Sequence, residues 1–176
     1  MEPALIVYST TTLSTALLSQ ALHRSLTLAR IPAHPPLRVD SLPADALPLL
    51  APNQPVVFLL STTGAGEPNA DLKLLWQLLM REGLPADLLE TARFAVLGCG
   101  DSGYERFNWV GKIWRRRMLA LGAEEIATRE GSGGEEGWWA DERSPGGSVG
   151  TGASNRHGHR TDGPRILTPP QARGDG

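Results

Sequence analysis

The sequence lacks several features that would assign a protein to a class at once. It contains one cysteine among 176 residues, which excludes an internal disulfide framework and favours a reducing compartment. A formal net charge of −2 provides no overall attraction to nucleic acid or to an anionic membrane. Its longest apolar runs are far too short to span a bilayer, and the acidic opening MEPALIVYS is unlike a signal peptide. We therefore expect a cytoplasmic protein whose partners are neither nucleic acid nor membrane.

Motifs for hydrolytic chemistry are also missing. The first hydrophobic run is not followed by Gly-Lys-Ser/Thr, so a nucleotide-hydrolysing P-loop is disfavoured. There is no Ser/His/Asp or Cys/His constellation and no pair of loop carboxylates. Two histidines in the sequence HGH, His157 and His159, are too few to define a metal site. We expect neither a catalytic side chain nor a bound metal.

Composition divides the chain into two parts. Residues 131–176 hold 12 of the 20 glycines, few aliphatic residues and no helical or strand period. Such a segment cannot bury enough apolar surface to offset its chain entropy, so we predict a folded domain at 1–130 and a Gly-rich disordered tail at 131–176. The pair Trp138–Trp139 is an exception and is either the remnant of a packing element or a small contact motif.

Before residue 130 the pattern alternates between apolar runs typical of buried strands and helical spacings. The predicted strands are 4–9, 37–41, 55–62, 93–101 and 123–130. The predicted helices are 14–30, 70–83 and 108–122. This alternation indicates an α/β fold with a doubly wound parallel sheet. Such folds bind ligands at the carboxyl ends of their strands.

The loop after the first strand is rich in hydroxyl groups. Residues 9–15 read STTTLST, with Leu13 as the single apolar residue. Backbone N–H groups and hydroxyls at a helix N-terminus suit a phosphate. Serine and threonine are equally favoured as helix N-caps without any ligand. Taken alone, this loop leaves both interpretations open.

The loops after the next two long strands are unusual as well. In STTGAGEPN (61–69), Gly64 and Gly66 would let a planar ligand approach, or would form an ordinary turn. In GCGDSGYERFN (98–108), Asp101 and Asn108 are candidate caps. Tyr104 offers an aromatic face for stacking, or packs the loop onto the core.

In this order and at these spacings, the three loops resemble the FMN-binding domain of the NADPH-dependent diflavin oxidoreductase family of cytosolic iron–sulfur protein assembly. The likeness covers roughly residues 4–130, and its most specific element is the pattern G-x-G-D-S-x-Y-x-x-F-N at 98–108. It implies a flavodoxin-like, five-stranded parallel sheet with strand order 2-1-3-4-5.

The resemblance also implies the flavin contacts, residue by residue. The FMN phosphate would be wrapped by Thr10, Thr11, Thr12, Leu13, Ser14 and Thr15. The isoalloxazine would be lined by Ser61, Thr62, Thr63 and Gly64, with a backbone carbonyl near Gly64 accepting from a reduced flavin nitrogen. Its other side would be covered by Gly98, Cys99, Gly100, Asp101, Ser102, Tyr104, Phe107 and Asn108, with Tyr104 stacking on the ring.

In that family the FMN takes electrons from an FAD/NADPH reductase domain and passes them to an iron–sulfur acceptor protein of the anamorsin type. The present sequence departs from the family pattern in two regions. Leu13 stands where the family's phosphate loop has glycine, so we expect weakened FMN affinity. The likeness stops near Glu130, so we expect a truncated domain that lacks its last helix and is not catalytically complete without FAD and NADPH domains.

Two alternatives stay open at this point. One is a stand-alone flavodoxin-like electron carrier, and the other is a degenerate flavodoxin-fold interaction protein that no longer binds FMN. A phosphoacceptor receiver domain is set aside, because it needs acidic residues where residues 9–15 carry hydroxyls.

Overall fold

Strands and helices alternate along the chain. The computed structural model describes residues 2–11, 13–42, 54–126, 138–141 and 149–151. The strands are β1 (Leu5–Ser9), β2 (Leu37–Arg38), β3 (Pro55–Ser61), β4 (Arg93–Gly100), β5 (Glu124–Glu125), β6 (Trp138–Asp141) and β7 (Val149–Thr151). The helices are α1 (Leu13–Leu28), α2 (Lys73–Leu79) and α3 (Trp109–Ala120). Among these described helices, none combines the length and the apolar character that crossing a membrane requires.

The sheet has the predicted strand order. β1 lies between β2 and β3 and pairs with both in parallel, and β3 pairs in parallel with β4. Since β3 occupies one side of β4, the other side is shared by β5, opposite Arg93 and Phe94, and by β6, opposite residues 97–100. Both are parallel to β4, so together they fill the fifth position. The flavodoxin-like order 2-1-3-4-5 is confirmed.

Two of these strands lie in the segment that was expected to be a disordered tail. β6 (Trp138–Asp141) pairs with the carboxyl half of β4, and β7 (Val149–Thr151) pairs antiparallel with β6. Tryptophan favours strands, but two aromatic residues within a glycine-rich stretch produce no strand period by which to recognise one. The pairing of β6 and β7 differs from the disorder that the composition predicts for this segment. The rest of 131–176 lies outside the described residues, so the division at residue 130 stays a prediction.

Two elements are shorter than predicted, and a third is described only in part. The strand predicted at 37–41 contains only Leu37–Arg38, because a 3-10 turn at Val39–Ser41 buries Val39 instead. The helix predicted at 70–83 spans Lys73–Leu79, after a turn in which the Leu72 N–H donates to the Asn69 carbonyl. The last predicted strand, at 123–130, is Glu124–Glu125, and residues 127–130 lie outside the described residues.

A hydrophobic core lies between the sheet and helices α2 and α3. Trp114 of α3 is fully buried, with ring centroids 5.2 Å from Phe58 and 6.2 Å from Trp76. α1 covers the opposite face, and its buried residues are the polar Thr15 and Ser19. Burial of apolar side chains against α2 and α3 therefore holds the strand ends in place.

Two arginines of α3 tie the helix to its neighbours. Arg115 makes a bidentate contact with Glu125, with Nε 2.8 Å from Oε1 and Nη2 2.7 Å from Oε2. This hydrogen bond raises the pKa of Arg115, although burial acts in the opposite direction. Arg117 donates to the carbonyls of Leu79 and Arg81, at 2.8 and 2.6 Å. These carbonyls belong to the end of α2, where helix carbonyls need donors from elsewhere.

Candidate functional site

Three loops meet at the carboxyl edge of the sheet. The first loop (9–15) follows β1, the second (61–69) follows β3 and the third (98–108) includes the end of β4. Because these strands are parallel neighbours, their carboxyl ends lie side by side. The Thr62 N–H donates to the Cys99 carbonyl at 3.0 Å, so the second and third loops leave the sheet together. The sequence predicted this convergence.

The first loop leads into the N-terminus of α1 and is bound to the end of β3. The Thr11 hydroxyl lies 3.2 Å from that of Ser61, whose backbone N–H donates to Ser9 Oγ at 3.3 Å. Ser14 is exposed in the first turn of α1, and Thr12 lies outside the described residues. The hydroxyl-rich loop therefore borders the second loop.

Leu13 and Thr15 lie on opposite sides of the start of α1. Leu13 is the first residue of the helix and is 73% exposed, so its side chain extends into solvent. Thr15 is 1% exposed, and its hydroxyl has no hydrogen-bond partner among the described residues. A buried hydroxyl without a partner costs free energy, which a bound ligand or water would recover. Thr15 thus presents an unused hydrogen-bonding group at the start of α1.

Two residues missed by the sequence analysis connect the second loop to the first. Asn69 is buried and donates from Nδ2 to Ser61 Oγ at 3.0 Å. Asp71 accepts the Thr10 N–H at Oδ2, at 3.1 Å. In the sequence Asn69 ends the second loop and Asp71 falls inside the predicted helix at 70–83, and nothing marks Asp71 as a polar contact to Thr10, 61 positions away. The available signal was that two polar residues, Asn69 and Asp71, follow Pro68 shortly before the helix begins.

The second loop is a tight turn built around Gly66. The Gly66 N–H donates to the Thr63 carbonyl at 2.8 Å, and its φ of +82° lies in the region that favours glycine. Thr63 Oγ1 donates to the Glu67 carbonyl at 2.9 Å, which fixes that side chain within the loop. Gly64 is exposed at the tip. The predicted glycine turn is present, and it holds Gly64 at the edge.

Helix α3 is capped by a residue of the second loop. The Val110 N–H donates to Thr62 Oγ1 at 3.3 Å. Asn108, the predicted cap, makes no capping hydrogen bond. It is fully buried with φ +54°, and neither side-chain polar atom has a partner within the described part of the chain. The prediction that Asn108 caps α3 is wrong, because a left-handed backbone at this position turns its side chain away from the helix amides.

Two glycines of the third loop serve packing. A Cβ on Gly100 would lie 2.9 Å from Asn108 Oδ1, so a larger residue would clash. Gly98 lies against Gly111 of α3, since a Cβ on Gly111 would lie 3.1 Å from the Cα of Gly98. Cys99 between them is buried and acts as a small filler, as its position between glycines suggests. Close packing of these three residues therefore fixes the base of the third loop.

The tip of the third loop reaches the second loop. The Gly103 N–H donates to Asp101 Oδ1 at 2.7 Å, so Asp101 caps the loop as predicted. Tyr104 is 56% exposed, and its Cε1 would lie 3.2 Å from a Cβ on Gly64. Ser102 is exposed beside it, and Phe107 is half-buried. Tyr104 therefore rests on the glycine tip of the second loop and not on the core.

The flavodoxin sequence profile matches residues 6–147, which include all three loops. The chain belongs to the flavodoxin family. Two solved structures share the fold of this flavodoxin-family chain. Oxidised flavodoxin 2 from Bacillus cereus has a TM-score of 0.57 at 22% identity, covering 73% of this chain and 81% of that one. Flavodoxin 1 from the same organism has a TM-score of 0.55 at 14% identity, covering 73% and 88%.

This flavodoxin-family sequence is also similar to longer curated proteins named NADPH-dependent diflavin oxidoreductase 1. The protein from Cryptococcus neoformans is 43% identical over 111 residues, which are 62% of this chain and 17% of the relative. The one from Danio rerio is 48% identical over 71 residues, or 40% and 12%. The chain thus spans less than a fifth of these relatives. The predicted resemblance to this family is confirmed.

Proposed function

We propose that the three-loop edge binds FMN and that the chain acts as the electron-transfer flavin domain of an NADPH-dependent diflavin reductase. The observation that carries this proposal is the buried Thr15 hydroxyl at the start of α1, on the edge where the three loops meet, which has no hydrogen-bond partner within the described ranges. Hydroxyls and helix amides match the acceptor oxygens of a phosphate. The residues present therefore fit the phosphate group of FMN.

In this proposal, the first loop holds the phosphate without a cationic side chain. The donors are the first-turn amides of α1 and the hydroxyls of Thr11, Ser14 and Thr15. The positive end of the α1 dipole adds to their effect. The outward position of Leu13 supports the proposal, because its side chain does not fill the space between these donors. The predicted weakening of FMN affinity by Leu13 remains a prediction.

The flavin ring would lie between the second and third loops. Tyr104 rests on Gly64, so ring binding requires Tyr104 to move away from the second loop. Its exposure favours such a movement, because few buried contacts are lost. Bound FMN supplies the redox chemistry, whereas the loops orient the ring and limit its contact with water.

We further propose the family's electron route for the longer protein. An FAD/NADPH reductase domain supplies the electrons, and an iron–sulfur acceptor protein of the anamorsin type receives them in the cytoplasm. The name shared by the curated relatives supports the reductase partner. A stand-alone flavodoxin-like carrier is the second candidate, because the match covers 81% of Bacillus cereus flavodoxin 2.

Titration of the purified chain with FMN tests flavin binding. We expect quenching of flavin fluorescence that saturates at one equivalent, with Kd in the micromolar range or below, because the loops supply both phosphate donors and an aromatic face. Riboflavin, which lacks the phosphate, is the matched ligand control and is expected to bind more weakly. Absence of binding at micromolar FMN would contradict the proposal and favour the degenerate interaction protein.

A further inference from the structure

Asp71 places a buried carboxylate directly against the proposed phosphate loop. Its side chain is 3% exposed, and Oδ2 accepts the Thr10 N–H at 3.1 Å. Arg38 Nε lies 3.4 Å from the same oxygen. Oδ1 has no hydrogen-bond partner among the residues described. The loop proposed to receive an anion is therefore anchored to a negative charge.

The surrounding charges do not cancel that of Asp71. Arg38 is shared with a second carboxylate, since its Nη2 lies 2.8 Å from Asp40 Oδ2. One guanidinium thus faces two carboxylates, and the trio carries a net charge of about −1 at neutral pH. The charged side chains of the three loops themselves are Glu67, Asp101, Glu105 and Arg106, which also sum to a negative charge.

Asp71 also removes a donor from the loop. The Thr10 N–H is used by the carboxylate, so it is unavailable to a phosphate oxygen in this arrangement. Burial keeps water and salt from screening the carboxylate, so its repulsion of a phosphate dianion is stronger than that of a surface charge. Both effects act on the phosphate, and neither acts on an uncharged ribityl chain.

We infer that Asp71 is a specificity-determining residue that lowers the affinity of this site for phosphorylated flavin relative to riboflavin. This inference rests on the proposed function. It predicts that the phosphate adds less to the binding free energy than the hydroxyl and amide donors of the site would provide without Asp71. Asp71 acts through the loop charge and the Thr10 amide, and no contact with the ring is needed.

The decisive variant is Asp71→Asn, because asparagine keeps an oxygen that accepts the Thr10 N–H and removes only the charge. We expect FMN to bind about tenfold more tightly or better, whereas the riboflavin Kd changes by about twofold or less. Asp40→Asn is the matched control. Asp40 pairs with the same arginine but is exposed, so solvent screens it and both affinities should stay within about twofold.

The measurement is the ratio of the FMN and riboflavin Kd values for the full chain and both variants, with circular dichroism melts to verify folding. A higher preference for FMN in Asp71→Asn than in the unsubstituted chain and in Asp40→Asn supports the inference. An unchanged ratio with intact flavin binding overturns it and leaves the proposed function standing. If the unsubstituted chain binds neither flavin, the proposed function fails and the inference fails with it.

Discussion

Replacing Trp114 by alanine is expected to lower the free energy of unfolding by about 3 to 5 kcal/mol. The indole is fully buried between β3 and α2, where it contacts Phe58 and Trp76. Truncation removes the largest fully buried side chain of the described core and leaves a cavity that strand and helix cannot close. Since domains of this size are stable by about 5 to 15 kcal/mol, the loss is a large fraction of the total.

Urea denaturation followed by far-ultraviolet circular dichroism measures this loss. Trp109→Ala is the matched control, because Trp109 is 40% exposed and its truncation should cost about 1 kcal/mol or less. Trp114→Phe keeps an aromatic ring in the core and is expected to lie between the two, which preserves a measurement if Trp114→Ala does not fold. Equal losses for Trp109→Ala and Trp114→Ala would contradict the described core.

Replacing Thr15 by valine is expected to weaken FMN binding about 10- to 100-fold, the value of one hydrogen bond to a charged group. Valine has nearly the same shape and lacks the hydroxyl. Because that hydroxyl has no partner among the residues that the structure describes, its removal should leave the stability of the free protein unchanged or slightly higher. If Thr15 only stabilised the helix, its replacement would lower the stability of the free protein and leave FMN affinity unchanged.

Thr27→Val on the same helix is the matched control for Thr15→Val. Its hydroxyl is exposed and donates to the His23 carbonyl at 2.8 Å, far from the loop. We expect its FMN Kd to match that of the unsubstituted chain. The measurements are FMN titration and thermal unfolding of each ligand-free variant. If Thr15→Val binds FMN normally but unfolds more easily, Thr15 is structural and the phosphate assignment is wrong.

The sheet order and the meeting of the three loops were predictable because they depend on local patterns. Apolar runs mark β1, β3 and β4, and helical spacing marks α1 and α3. Parallel strands joined by helices then bring their carboxyl ends to one edge. The glycine after α3 was also predictable, since Gly122 has φ +90° at the helix end.

Contacts between distant polar residues were not predictable. The Asp71 carboxylate reaches Thr10, and Thr62 replaces Asn108 as the cap of α3. These bonds depend on how loops approach one another in space, about 50 to 60 positions apart in sequence. Leu13 illustrates the same limit, because sequence alone identified the missing glycine and could not indicate that the side chain lies outside the loop.

The central claim is that three separate loops form one flavin site at the carboxyl edge of the sheet. Backbone amide chemical shifts of the ¹⁵N-labelled chain, recorded during titration with FMN, test it most directly. The account predicts shift changes that saturate with one affinity and cluster in residues 10–15, 61–66 and 98–108. Changes confined to one loop, or centred on the exposed face of α1 around Leu17, would contradict it.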